Sequence, residues 1–547
     1  MVWPLWQAAP EQYLVRFSGD GAKALWFYEY VLRVVTGEAS PWYTEGFDFP
    51  DAQMRGRQYP TLADGLLVLP ATAALDGLTT WVGVQTIIVL ANAFGFALFA
   101  RALGARHLGV VLAGLLGAWC LPAWYELYQG RANAAWPGLA GASVGLGALM
   151  LERCEGDWRV VLRRALPLGL LSIPVFAAAG AMYPPYAILM APIAMALWPW
   201  RAWSADRLQT LVLVVVAGAA FFLAWGDLQL LWMFVAETDE GGACLTLERM
   251  MPLDHWWTPS PGSNRFLRHV PTGAWILAPI GLLARPRLTA VVTFLLALLM
   301  VPLSLGNCPN ASLDVPLFAQ GSVWAERAYQ VWETGAGPVH DSGRYSIVAC
   351  LLAAGLAGAG LEQLVDAPWV AGRLRLRVVG GLVALGLAGG AAWNTAEVSL
   401  GELSQEYNWA ADPDLQTRAF LETLPEGSVL AELPMRGTDP FLLATLVPGH
   451  ERVASIGTPD RARDSTDPRD FLVRLGTGQE PEGSPSAEDW ARTHIDWIIV
   501  DPRRCRGTMK GPCTVPMTAA IIETLGDEGQ LIGEDARAWH VGSRPVP

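Results

Sequence analysis

Charge is scarce in this 547-residue chain: charged residues make up 16% and hydrophobic ones 52%. A soluble globular protein carries charge at about a quarter of its positions, so an ordinary soluble fold is excluded. Lysine occurs only at Lys23 and Lys510, and arginine supplies nearly all the positive charge. The net charge of −13, with no basic cluster against it, rules out a nucleic-acid binder. The 7 cysteines show no metal-ligand spacing. Beyond residue 400 there is no Gly-rich phosphate loop, nucleophile elbow or metal pair.

What the chain does have is apolar runs. From about residue 83 to 395 they recur at roughly 18–22 residues each, long enough to cross a ~30 Å hydrocarbon core. Candidate spans lie at 83–102, 107–125, 134–152, 164–181, 183–199, 208–229, 271–285, 288–305, 345–366 and 376–395. Loop arginines orient them, because positive loops stay cytoplasmic. Arg101 with Arg106, then Arg153, Arg159, Arg163 and Arg164, mark two basic loops. Arg201 with Arg207, Arg285 with Arg287, and Arg373, Arg375 and Arg377 continue the alternation. The segments between are acidic, aromatic or long, so 10–80, 126–133, 230–270 and 306–343 are expected to face outward. An outward 10–80 loop needs a span before it, and Met1–Ala9 is too short, so the start of the protein is expected upstream. Residues 61–82 are apolar but broken by Pro70, Asp76 and Gly77, which predicts a re-entrant or surface-lying segment.

The chain is therefore expected to be an α-helical polytopic membrane protein of about ten spans, residues 1–398, with a soluble α/β domain over 399–547. In that tail, Ser428–Leu433, Arg452–Ile456, Trp497–Val500 and Trp539–Val541 read as strands. Asp414–Leu424, Pro440–Leu446, Ser486–Thr493 and Met517–Leu525 have helical periodicity. Cys244, Cys308, Cys505 and Cys513 fall on the outward side, where an oxidising compartment permits disulfides. Four thiols allow three pairings, of which Cys244–Cys308 with Cys505–Cys513 is the simplest. Cys120, Cys154 and Cys350 lie in or near spans or on the inward side, and read as core packing.

The order of features carries a resemblance. A Gly19-Asp20 precedes a long outward loop containing aromatics and Tyr59-Pro60. A hairpin of spans follows, joined by the Arg-bearing turn Ala100–Arg106. The chain then returns outward with Tyr125-Glu126-Leu127-Tyr128-Gln129-Gly130-Arg131-Ala132-Asn133 and Trp136-Pro137. This layout over residues 1–395 resembles bacterial C-type (GT-C) membrane glycosyltransferases, in a branch that carries an outward α/β tail. Ala431-Glu432-Leu433-Pro434 and Trp497–Val500 resemble two strands of that tail. Where the branch often has Gly-His-x-Asn, this chain has Gly130-Arg131-Ala132-Asn133, with arginine in place of the imidazole.

The resemblance implies transfer of a sugar from a polyprenyl-phosphate donor to a glycan, lipid or protein acceptor at the outer face of the bacterial inner membrane, with the tail periplasmic. Such a reaction needs a base for the acceptor, positive charge for the departing phosphate, and surfaces for sugar rings. Asp20 matches the family's aspartate at the end of span one and is the expected base. The same residue can instead cap a helix over Gly21–Val35. Arg55, Arg57, Arg131 and Arg344 are the outward arginines near span ends, and a guanidinium fork suits phosphate. Arg344 also matches an arginine common in the branch, and Tyr59 and Asn133 complete the expected substrate-binding set. The sequence assigns no cofactor, while Glu45, Asp48 and Asp51 offer oxygens that a divalent cation could use. Tryptophans such as Trp42, Trp124 and Trp256 could stack on sugars or sit at the membrane interface. Two other classes compete. A transporter or flippase for a lipid-linked precursor would show intramembrane charge and an inverted repeat, and a scaffold would tolerate loss of Asp20.

Overall fold

In the computed structural model, the described residues of the helical part are 20–41, 43–44, 53–54, 62–75, 77–128, 130–152, 158–181, 190–198, 203, 207–237, 270–284, 287–304, 342–366, 378–391 and 393. Those of the tail are 419–421, 423–425, 428–433, 454–455, 471–472, 474–475, 485–492, 495–500, 514–525, 529–532 and 537–541.

Apolar periodicity becomes helix throughout the first part. The elements are α1 (Asp20–Thr36), a two-residue hairpin β1 (Tyr43–Thr44) with β2 (Gln53–Met54), α2 (Leu62–Ala74), α3 (Gly77–Ala102), α4 (His107–Ala118) and α5 (Leu121–Tyr128). A 3-10 turn (Ala132–Ala135) leads into α6 (Pro137–Glu152), α7 (Trp158–Ala181), α8 (Arg207–Glu237), α9 (Thr272–Ala284) and α10 (Leu288–Ser304). A second 3-10 turn (Ser342–Arg344) opens α11 (Tyr345–Asp366), and α12 (Val378–Ala391) follows. Residues 190–198 are also helical. Helix lies within every expected span, although 107–125 is divided between α4 and α5 and only 190–198 of 183–199 is among the described residues. Among the described residues, four helices are long and apolar enough to cross a membrane: Thr79–Ala102, His107–Leu127, Arg207–Ala224 and Tyr345–Val365. The chain is a polytopic α-helical membrane protein. At 1.5 Å per residue, the 13-residue α2 covers roughly 20 Å, too short to span.

Burial orders these helices. The apolar window of α11 is 89% buried and that of α8 only 28%, so α11 runs through the middle of the bundle and α8 lies on its rim. On that rim Val214, Val215, Phe221 and Phe222 are exposed, as lipid-facing side chains are. Lipid tails are as apolar as leucine, so association relies on close backbone approach at small residues. At the α3–α6 crossing Gly95 lies against Gly138, and a methyl at either position would overlap the other helix's backbone.

The pair formed by α4–α5 and α11 has a readable register. At one end the backbone N–H of Gly109 donates to Glu362 Oε2 at 3.0 Å. Arg106, the residue before α4, makes no side-chain cap, so Glu362 supplies in trans the negative charge that a helix N-terminus favours. Further along, the thiols of Cys120 and Cys350 meet, both buried and free as core packing predicts. Six residues on from Cys120 is Glu126, and six back from Cys350 is Arg344, and these two are bonded. The two spans are antiparallel and in step over their whole length. The Arg101–Glu152 ion pair, at 3.7 Å, joins the ends of α3 and α6. Glu126 and Arg344 lie at the end of the bundle expected to face outward.

In the tail, β3 (Val429–Leu433) lies between two parallel neighbours, β4 (Ala454–Ser455) on one side and the central strand β5 (Trp497–Val500) on the other. β7 (Arg537–His540) adds antiparallel to β5, and β6 (Gln530–Leu531) adds antiparallel to β7, giving the order β4-β3-β5-β7-β6. All four residues of β5 are buried because both faces are covered. Val429, Ala431, Leu433, Ile498 and Val500 face α13 (Ala487–Arg492) and α14 (Thr514–Leu525) through Trp490 and Ile521. Leu430, Trp497 and Ile499 face Leu421 and Leu424. The four expected strands are present, and β6 is an addition: a two-residue exposed edge leaves no apolar pattern to read.

Asp496 ties this sheet together. Its Oδ2 accepts from the Val429 N–H and its own N–H donates to the Val429 carbonyl, both at 2.9 Å. Its carbonyl accepts from the Val541 N–H, also at 2.9 Å. Asp496→Ala should destabilise the tail by about 2–3 kcal/mol, because it strands a buried N–H. Asp496→Asn, which keeps an acceptor, should cost about half as much. Hydrogen exchange at the Val429 amide reads both, and equal protection in Asp496→Ala and wild type would contradict the assignment.

Candidate functional site

The site is built on the end of α5. Gly130 takes φ +77, ending the helix in a left-handed residue. Its N–H donates to the Leu127 carbonyl at 3.0 Å, and the Arg131 N–H donates to the Glu126 carbonyl at 2.8 Å. These two bonds form a Schellman cap, which folds Arg131 back over the last turn and onto Glu126. The segment beyond is pinned to α3 by Asn92, whose Nδ2 donates to the Ala135 carbonyl at 2.8 Å. The Asn92 Oδ1 accepts from the Gly138 N–H at 2.9 Å, so one buried amide locks the 3-10 turn and the start of α6.

Glu126 is 1% exposed and sits between two arginines. Arg344 donates to Glu126 Oε2 through Nη2 at 3.0 Å and through Nε at 3.2 Å. The Nη1 of Arg131 lies 3.8 Å from the same oxygen. The Arg344 side chain is 15% exposed and that of Arg131 34%, against 1% for Glu126. A buried carboxylate held by two cations is a fixed counter-charge.

A second polar contact lies beside it. Asp64, fully buried in the first turn of α2, accepts from the Tyr28 hydroxyl at 3.2 Å and from the Gly65 N–H at 3.1 Å. Burial, and then the neighbouring Asp64 charge, push the Tyr28 hydroxyl well above the ordinary tyrosine range, so it stays a proton donor. The Trp136 indole neighbours the Tyr28 hydroxyl without reaching hydrogen-bonding geometry. Trp26 and Tyr28 share one core with Ala132, Ala135 and Trp136. Tyr28 of α1 thus neighbours Trp136, the residue that follows the 3-10 turn.

Of the expected residues, Arg131 and Arg344 come together on Glu126. Asp20 is the first residue of α1, and Asn133 lies within the first 3-10 turn. Arg55, Arg57 and Tyr59 lie outside the described residues, as do Glu45, Asp48, Asp51 and the four cysteines Cys244, Cys308, Cys505 and Cys513. Among the described residues, no group of three or more His, Cys, Asp or Glu side chains could hold a metal ion. Sequence reading quoted Glu126 without giving it a role and passed over Asp64. A usable signal existed for both: each is an acid inside or at the end of an apolar helix, where an uncompensated charge is costly.

No family model matches the chain, and no curated protein matches it. Solved structures do. The mycobacterial arabinofuranosyltransferase AftD (mutant R1389S) aligns over 92% of this chain and 36% of its own, at 17% identity and TM-score 0.47. The chain thus spans about a third of that protein's length. ArnT from Cupriavidus metallidurans, bound to undecaprenyl phosphate, aligns over 92% of both chains at 13% identity and TM-score 0.48. The oligosaccharyltransferase of Archaeoglobus fulgidus, tethered to an acceptor peptide, aligns over 94% of this chain and 68% of its own, at 13% identity and TM-score 0.45. All three likenesses lie below 20% identity and below a TM-score of 0.5. They assign no residue a role.

Proposed function

We propose that this protein is a C-type glycosyltransferase. It takes a sugar from a polyprenyl-phosphate donor and passes it to a glycan, lipid or protein acceptor at the outer face of a bacterial inner membrane. The membrane domain ends near residue 398 and the α/β tail stands in the periplasm. The observation that carries the reading is the convergence of Arg131 and Arg344, distant in sequence, on one buried carboxylate at a single end of the bundle. Two guanidinium groups held on one buried carboxylate suit a lipid phosphate at the membrane boundary.

In this reading the acceptor hydroxyl attacks the anomeric carbon and its proton passes to Asp20. The bond from that carbon to the phosphate oxygen breaks, and the electron pair stays on the phosphate. Arg344 and Arg131 stabilise the charge that develops there. Arg55, Arg57, Tyr59 and Asn133 complete the binding surface.

The test uses membranes containing wild type or Asp20→Asn, a panel of polyprenyl-phosphate sugars, and mass spectrometry of the donor. Wild type should consume one donor, and Asp20→Asn should be slower by about a thousandfold or more, the scale of losing a general base. Equal turnover by both would retire Asp20. Folded wild type that consumes no donor would overturn the transferase reading.

A further inference from the structure

We propose that the inward end of the α7–α8 pair binds an anionic glycerophospholipid with a hydroxyl-bearing headgroup, with Gln209 at the centre of the site and Arg163 and Arg207 at its rim. The site lies at the opposite end of the bundle from Glu126 and takes no part in sugar transfer.

Helices α7 and α8 run parallel. A methyl added to Gly169 would meet Val216 Cγ2 at 2.9 Å, and further along Val175, Ala177 and Ala178 share a core with Ala220 and Ala224. Both N-termini therefore lie at one end, to which α6 carries the chain from the Arg131 turn, and their dipoles favour an anion there. The same register brings Arg207 and Gln209 to within about one turn of Arg163, roughly 5 Å along the axis. Gln209 decides what binds. Leu213, Val216, Ala220 and Ala224 form one buried stripe of α8, packed on α7, and Gln209 begins that stripe one turn earlier. It is 1% exposed, and neither its Nε2 nor its Oε1 has a hydrogen-bond partner. An amide buried with both ends unpaired is costly, which points to a ligand offering an acceptor and a donor together. The phosphate and the hydroxyl of one lipid headgroup do so. Arg163 and Arg207 are exposed on the two helices, and guanidinium forks suit the phosphate. Acids accompany them in sequence, at Glu155, Asp157 and Asp206, so the amide and the forks give the selectivity and net charge does not. Two features favour a membrane lipid over a soluble phosphate. Trp203, 82% exposed and four residues before Arg207, has the amphipathic character of an interfacial side chain. Beyond the arginines each helix stays exposed but turns apolar, at Leu170 on α7 and Leu211 on α8, surfaces for acyl chains.

The experiment follows thermal unfolding of purified full-length protein, delipidated in dodecyl maltoside, as lipid is added. Phosphatidylglycerol should raise the wild-type midpoint saturably, because a ligand that binds only the folded state stabilises it. Gln209→Leu removes the unpaired amide, so in detergent alone it should unfold no earlier than wild type. It should nevertheless need about tenfold more phosphatidylglycerol for the same rise. A merely structural glutamine would lower the midpoint when replaced and leave the lipid titration unmoved. Phosphatidylmethanol, the same monoanion without the glycerol hydroxyls, should act about tenfold more weakly on wild type and equally on Gln209→Leu. Glycerol 3-phosphate, which has the headgroup chemistry without the chains, should leave the midpoint unchanged at the same concentration. If Gln209→Leu fails to fold, Arg163→Gln/Arg207→Gln, altered only at exposed positions, should weaken phosphatidylglycerol by about tenfold. Wild type that phosphatidylglycerol does not stabilise, or variants that titrate as wild type does, would overturn the site. Equal action by phosphatidylmethanol would overturn the headgroup assignment, and equal action by glycerol 3-phosphate the lipid. No donor is turned over, so the outcome is independent of the transferase reading.

Discussion

Arg344→Gln should cut donor turnover by about a hundredfold or more and also lower stability by about 2–3 kcal/mol. In the proposed reaction, the first effect is the loss of a positive charge at the leaving phosphate. The second arises because Glu126 stays buried after its main partner is gone, and removing one member of a buried pair is strongly destabilising. The lower part of that range applies, since Arg344 is 15% exposed and Arg131 remains within 3.8 Å of the carboxylate. The two effects separate in a double-mutant cycle. Glu126→Gln/Arg344→Gln removes both charges, so its thermal midpoint in detergent should recover toward wild type while turnover stays low. If activity returned with stability, Arg344 would be a structural residue and the phosphate role would fail. Arg131→Gln should be milder, within about 1 kcal/mol in stability, because Arg131 is more exposed and makes the longer contact.

Gly95→Ala should be the most damaging single methyl among the described glycines of the helical part. The added carbon would overlap the backbone carbonyl of Gly138, and a backbone cannot rotate aside as a side chain can. Helices α3 and α6 must separate, at a cost of about 3 kcal/mol or more. Separation also pulls on the segment that Asn92 pins between Ala135 and Gly138, and so on the turn beginning at Arg131. Gly386→Ala in α12 is the matched control. Nothing lies within 4 Å of the methyl it would add, so the change should be neutral or slightly stabilising through helix propensity. Thermal unfolding of the three proteins decides the matter, and equal midpoints would mean that the α3–α6 contact tolerates spreading.

How much of this was legible beforehand depends on the range of the interaction. Span positions were legible because a run of apolar residues answers to the bilayer locally, and the alternating arginine loops placed the ends of α5 and α11 on one side. Strands β3, β5 and β7 were legible because a buried sheet needs β-branched and aromatic residues in sequence. The partner of Asp64 was not, because only the packing of α1 brings Tyr28 to its carboxylate.

Glu126 shows the division most clearly. Its nearness to Arg131 is written in the sequence: Gly130 can take a left-handed φ, and the resulting cap returns the chain onto the helix that carries Glu126. Its bond to Arg344 spans 218 residues and needs α5 and α11 packed antiparallel in one register. That register depends on which small residues meet between helices and on Glu362 capping Gly109 at the far end. By itself the sequence determined a membrane bundle, a mixed α/β tail and two arginines at the same end. Only the tertiary structure decided that those arginines share one carboxylate, because interhelical register is a sum of many weak contacts and no single residue announces it.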